Sequence, residues 1–100
     1  MSAKHPKPKF ELGEIIADPC VLRATLRDLR LGGGNYMEYL MRQSEGDWGE
    51  VSYHVRELNV AGVQSTGLLR SRFTLKDGTV LMIVTEGDRS RTTLRLCDQH

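Results

Sequence analysis

Leu69-Arg70-Ser71-Arg72-Phe73-Thr74-Leu75-Lys76-Asp77-Gly78-Thr79-Val80-Leu81-Met82-Ile83-Val84-Thr85-Glu86 is the stretch that decides the fold. Leu69, Ser71, Phe73 and Leu75 alternate with Arg70, Arg72 and Thr74, the period of two that marks a strand packed on one side. Asp77-Gly78 then interrupts the pattern as a hairpin signal, and a type I′ turn with positive φ at both central residues is the expected form. The next strand, Thr79 to Glu86, is apolar on both faces through Val80, Leu81, Met82, Ile83 and Val84, which predicts a central strand. Gly87-Asp88-Arg89-Ser90 makes a second turn. Arg91 to Cys97 alternates again, with Thr92, Leu94 and Leu96 opposite Arg91, Thr93 and Arg95. An antiparallel meander is the result.

Upstream of Gly67 the period lengthens to that of helices. Asp18-Pro19 reads as an N-cap followed by proline at the first helical position, where the missing N–H costs nothing. Val21, Leu22, Leu26, Leu29 and Leu31 recur near the helical period and predict the buried face, with Arg23, Arg27, Asp28 and Arg30 on the other. Gly32-Gly33-Gly34 ends this helix. Asn35 caps a second one, with Tyr36, Met37, Leu40 and Met41 as apolar positions and an end near Gln43-Ser44-Glu45. Gly46-Asp47-Trp48-Gly49 is a compact loop. Ser52 opens a third helix carrying Val55, Leu58 and Val63. Before all of these, Phe10 to Ile16 alternates well enough for a short strand at a sheet edge. The order β-α-α-α-β-β-β predicts an α+β fold whose C-terminal antiparallel meander packs on helices.

One hundred residues leave too little chain for two cores, so a single domain over 10–100 is expected, behind a disordered tail over 1–9. The longest apolar run, Val80 to Val84, is far short of a membrane span. No apolar stretch follows the basic start as a signal peptide requires, and Cys20 and Cys97 form no disulfide framework. A cytoplasmic protein with reduced thiols and no membrane partner is expected. The formal net charge of +1 argues against a surface built wholly for nucleic acid and against an acidic DNA mimic. Its distribution is uneven: residues 31–60 hold two arginines against five acids, whereas residues 61–100 hold six basic residues against four acids.

Phe10-Glu11-Leu12-Gly13, Gly46-Asp47-Trp48-Gly49 and Thr85-Glu86-Gly87-Asp88-Arg89-Ser90-Arg91-Thr92-Thr93 together resemble a family of small proteins carried on plasmids and integrative elements of proteobacteria. The resemblance spans roughly residues 10–96. Arg42 matches the family's arginine, but Gln43 stands where the family has histidine. Asn59 matches its asparagine. The acid expected shortly before Asn59 is missing, Gly87 replaces alanine, and Leu96-Cys97-Asp98-Gln99-His100 replaces a proline-acid-aromatic ending. What the resemblance implies is a setting, the mobile genetic element, rather than a chemistry.

Several residues stand out as candidate contacts. Asp47-Trp48 reads either as a ligand-contacting loop or as an indole packed on the core behind a capping acid. Asp88-Arg89-Ser90 with Thr92-Thr93 reads either as a polar pocket, in which Arg89 forks onto a carboxylate or phosphate, or as a turn with solvent-facing threonines. Arg70, Arg72, Arg91 and Arg95 share one sheet face if the meander forms, a surface for phosphates or for an acidic protein. No aromatic residues are interleaved with them, which weakens a single-strand nucleic-acid reading. His5, His54 and His100 with the two cysteines form neither a nucleophile set nor zinc-ligand spacing, and the triple glycine lacks the lysine and hydroxyl of a phosphate loop. No enzyme chemistry, cofactor or metal is assigned.

The expected function is therefore binding through Arg42, Asp47, Trp48, Arg70, Arg72, Asp88, Arg89, Arg91 and Arg95. The partner expected is a host defence complex, of the CRISPR or restriction kind, which the chain would inhibit by protein–protein contact. A nucleic-acid-binding accessory of the element, and a divergent enzyme or toxin using Arg42, Asp47, Asn59 and Asp88, are the alternatives.

Overall fold

A computed structural model describes residues 8–97. Its elements are β1 (Glu14–Ala17), α1 (Pro19–Arg30), α2 (Tyr36–Ser44), α3 (Tyr53–Val63), β2 (Leu69–Thr74), β3 (Val80–Thr85) and β4 (Arg91–Leu96). This is the expected α+β order. The four strands form one sheet in the order β1-β4-β3-β2; β2, β3 and β4 pair antiparallel, and β1 runs parallel to β4 at the edge. The central place of β3 follows from its two apolar faces. Residues 1–7 and 98–100, with His5, His100 and most of the expected tail, lie outside the described residues. Lys9 is already docked, its backbone N–H donating to the Ser44 carbonyl at 2.7 Å.

Phe73, Leu75, Leu81, Ile83 and Leu94 are buried on the face covered by α1 and α2, where they join Val21, Ala24, Tyr39 and Leu40 in one core, and Leu69 is buried beside Gly62 of α3. Helix α3 lies along β2. Its Asn59 side chain donates to the Arg70 carbonyl at 2.7 Å and accepts from the Arg70 N–H at 3.0 Å. Trp48 and Glu50 do the same for Arg72 through their backbones, at 3.1 and 2.7 Å. The outer edge of β2 is thus closed to further strands.

The hairpin turn departs from expectation. Gly78 has φ +90, but Asp77 is not in the left-handed region, so the turn is not type I′. Instead Lys76-Asp77-Gly78 forms a three-residue loop, closed by Gly78 N–H to Leu75 O at 2.9 Å and Leu75 N–H to Thr79 O at 2.8 Å. The Asp77 carboxylate accepts from the Thr79 N–H at 3.0 Å and from Arg27 Nε at 3.0 Å. Hydrogen bonds from Thr79, then the Arg27 charge, hold this carboxyl down to about 2. The strand predicted over residues 10–16 is also corrected. Gly13 takes φ +70 and β1 begins only at Glu14, while Leu12 turns its carbonyl to the Thr92 hydroxyl.

The helix faces are the larger correction. Asn35 and Ser52 cap as expected, and Pro19 opens α1, although the Asp18 side chain makes no capping bond. In α1, however, the buried residues are Val21, Ala24, Thr25 and Asp28, while Leu22, Leu26 and Leu29 are 45–50% exposed. Asp28 fixes the rotation. Its carboxylate accepts from Tyr39 Oη at 2.9 Å and from the Lys76 N–H at 2.6 Å, tying α1 to α2 and to the hairpin. A buried carboxylate with two donors displaces the leucines to a flank, because leaving either donor unpaired costs more than exposing a leucine. Burial, then the Asp28 hydrogen bond, pushes the Tyr39 hydroxyl up to about 12. Likewise α2 buries Tyr39, Leu40, Gln43 and Ser44 and leaves Met37 and Met41 exposed, and α3 buries Asn59 and Gly62 rather than Leu58.

Candidate functional site

The motif residues converge on the helix-covered end of the sheet, and each is engaged inside the chain. Arg42, half-buried on α2, lies 4.4 Å over the Phe73 ring and donates from Nε to Asp47 at 2.8 Å. Asp47 uses its other oxygen on the Gly49 N–H at 3.2 Å. That closes the loop so that Trp48, only 7% exposed, stacks on Phe10 with centroids 6.0 Å apart. At Gly49, φ is +70 and a Cβ would overlap the Arg72 carbonyl and the Phe73 ring, so glycine lets the loop reach the β2 edge. The indole is a packing group, as one of the two sequence readings had it.

Arg89 is likewise occupied. It takes φ +60, alone among the described non-glycine residues. Its guanidinium donates to the carbonyls of Gly67 at 2.8 Å, Glu86 at 3.1 Å, Gly62 at 2.6 Å and Ser65 at 3.2 Å, and lies 5.5 Å from the Phe10 ring centre. Two of those carbonyls, Gly62 and Ser65, belong to the end of α3, where a cation also suits the helix dipole. Asp88 accepts from the Ser90 N–H at 3.0 Å. Hydrogen bonds from Ser90, side chain and backbone, hold its carboxyl below the usual range.

Beneath these lies a buried polar chain that sequence reasoning did not assemble. Gln43, fully buried, donates to Leu69 O at 3.3 Å and to Thr85 Oγ1 at 3.1 Å, and accepts from the Ser71 hydroxyl. Thr92 Oγ1 donates to Leu12 O at 2.7 Å, so at the 2.7 Å contact between the two threonines Thr85 is the donor. Every polar atom is paired, and among the described residues no buried side-chain N or O lacks a partner. The legible signal was Ser71 and Thr92 at inward positions of alternating strands.

The opposite sheet face is different in kind. Register places Arg70, Val84 and Thr93 in one row and Arg72, Met82 and Arg95 in the next, with Glu14 beside Arg91 at the far end. All four arginines are exposed, and Val80, Met82 and Val84 are half-buried between them. Neither α1 nor α2 covers this face. The result is an apolar stripe on β3 flanked by cations on both neighbouring strands. Its acids, Glu14 and Glu86, stand toward one end, with Glu50 at the β2 edge accepting from the Thr74 hydroxyl at 2.6 Å. Of the nine residues singled out from sequence, Arg70, Arg72, Arg91 and Arg95 meet here, whereas Arg42, Asp47, Trp48, Asp88 and Arg89 do not.

Among the described residues no cluster of three or more histidine, cysteine or acidic side chains is placed to hold a metal ion. No helix among them is long and apolar enough to cross a membrane. Neither Cys20 nor Cys97 is in a disulfide. No protein-family model, curated protein or solved structure matches the chain.

Proposed function

We propose that this chain is a non-catalytic binding protein that acts by protein–protein contact through the outer face of its sheet. The observation that carries the reading is the register-fixed set of Arg70, Arg72, Arg91 and Arg95 around Val80, Met82 and Val84. Arginine stems bury readily against a partner while their guanidinium groups find carboxylates, and a central apolar stripe within a charged rim is the composition of a protein interface. The partner chemistry that fits is an acidic protein surface. In the setting implied by the resemblance to mobile-element proteins, that partner is a complex of the host's defence, of the CRISPR or restriction kind, which the chain inhibits from the cytoplasm. Arg42, Asp47, Asn59 and Asp88 each serve an intramolecular hydrogen bond, and this reading gives them structural roles.

The test is capture from a host that carries such complexes, followed by a plasmid-transfer assay. Recovery of a defence complex with raised transfer efficiency supports the reading. Recovery of no partner, with transfer unchanged, overturns it. The same four arginines suit phosphates, so nucleic acid is the second reading. Retardation of DNA or RNA that falls steeply with salt would assign the face to it instead.

A further inference from the structure

We propose that a second copy of this chain docks antiparallel along β1, joining the two sheets across a two-fold axis and covering the leucine flank of α1. The two sheet edges are treated differently. Asn59, Trp48 and Glu50 occupy the outward backbone groups of Arg70 and Arg72 in β2, whereas among the described residues none does the same for β1. The parallel ladder takes the N–H of Glu14 to Ser90 O at 3.0 Å and that of Asp18 to Leu94 O at 3.4 Å. By alternation, Ile15 and Ala17 direct their N–H and C=O away from β4. The strand is exposed, carries Ile15-Ile16-Ala17, and has neither the proline nor the lysine by which edges are usually protected.

Beside this edge, on the helix side, is a groove of about 870 Å³ lined by residues 8–13, Ile15 and Met41. The leucines of α1 lie outside that lining, on an exposed flank of their own. Arg27, on the opposite flank, turns toward Asp77 at the β2–β3 loop, so helical spacing sets Leu22, Leu26 and Leu29 on the flank turned away from that loop. Ile15, Leu22, Leu26, Leu29, Met37 and Met41 are each 38–53% exposed. At roughly 190 Å² for a whole residue this is ~500 Å² of exposed surface on apolar residues per copy, against ~800 Å² per partner in a stable interface.

A second copy supplies what a lone extended peptide lacks. About a two-fold axis normal to the sheet at Ile16, Ile15 of each copy exchanges both backbone hydrogen bonds with Ala17 of the other. The same rotation sets both α1 helices on one side of the joined sheet with their leucine flanks turned toward each other. Four residues of strand are too short to hold two chains by themselves, and the leucines complete the interface. The surface is distinct from the arginine face, so its test is independent of the proposed function.

The experiment is sedimentation velocity of the whole chain over a concentration series, with Leu26→Glu and Ile15→Pro as variants. Leu26 is exposed, and the Ile15 N–H points away from β4, so neither change touches the core. The wild type is expected to sediment at twice its 11.3 kDa mass in the low micromolar range. Each variant is expected to weaken association at least 100-fold while circular dichroism stays unchanged. A wild type that remains monomeric to about 0.5 mM overturns the proposal. So does a dimer that both folded variants keep. Should Ile15→Pro fail to fold, Leu26→Glu decides alone.

Discussion

Replacing Arg89 by alanine removes a guanidinium that donates to four carbonyls and ties the β3–β4 turn to the end of α3. A hydrogen bond from a charged group contributes ~1.5–3 kcal/mol net when buried. Arg89 is only half-buried, and water will reach the Ser65 carbonyl once the side chain is gone, so the four together are taken as ~3 kcal/mol rather than their sum. At ~4–8 °C per kcal/mol for a domain of this size, the melting temperature should fall by ~12–24 °C. Glycine at the same position loses the same bonds but relieves the φ +60 backbone, whose left-handed conformation costs a non-glycine residue ~1–2 kcal/mol. Arg89→Gly should therefore be ~1 kcal/mol more stable than Arg89→Ala, and Arg89→Lys, which lacks the fork, should rescue little. Urea and thermal unfolding of the three variants by circular dichroism make the measurement. A loss below ~1 kcal/mol in Arg89→Ala, which is the scale of an ordinary surface change, would refute the anchoring role and return Arg89 to the ligand-fork reading.

Three further outcomes follow from the same geometry. Asp28→Ala should cost ~3 kcal/mol by stranding the Tyr39 hydroxyl and the Lys76 N–H, and a double-mutant cycle with Tyr39→Phe should show coupling of ~1 kcal/mol or more. Because the folded Tyr39 hydroxyl titrates at about 12 against 10.0 when unperturbed, its contribution is complete below pH 10. It is lost as the pH rises from 10 to 12, a slope that denaturation against pH should find in the wild type and not in Tyr39→Phe. Asp77 titrates at about 2 against 3.8, so its contribution is present above pH 3.8 and lost as the pH falls toward 2; Asp77→Asn should flatten that acid limb.

The strands of the meander were legible because alternation is local. Leu69, Ser71, Phe73 and Leu75 face inward as their spacing predicts, and β3 is central because both of its faces are apolar. Helix ends were legible for the same reason, through Asn35, Ser52 and Pro19. Helix faces were not, since the rotation of α1 is set by Asp28 through partners 11 and 48 residues away. A leucine count weighs transfer of apolar groups and cannot see a distant donor. The parallel partner of β1 was hidden likewise, because its register depends on contacts across nearly the whole chain. Among the candidate residues, the four arginines of the outer face were placed together by strand parity alone. The roles of Arg42, Trp48 and Arg89 required the loops around them.

The most direct test of the account is the charge reversal Arg72→Glu/Arg95→Glu, which alters the two cations flanking Met82 and leaves the motif residues intact. Stability should stay within ~0.5 kcal/mol of wild type, as for surface changes away from special features. Capture of the acidic partner, and any effect on plasmid transfer, should fall at least tenfold. A folded double variant that captures the partner and alters transfer as well as the wild type would contradict the assignment of this face.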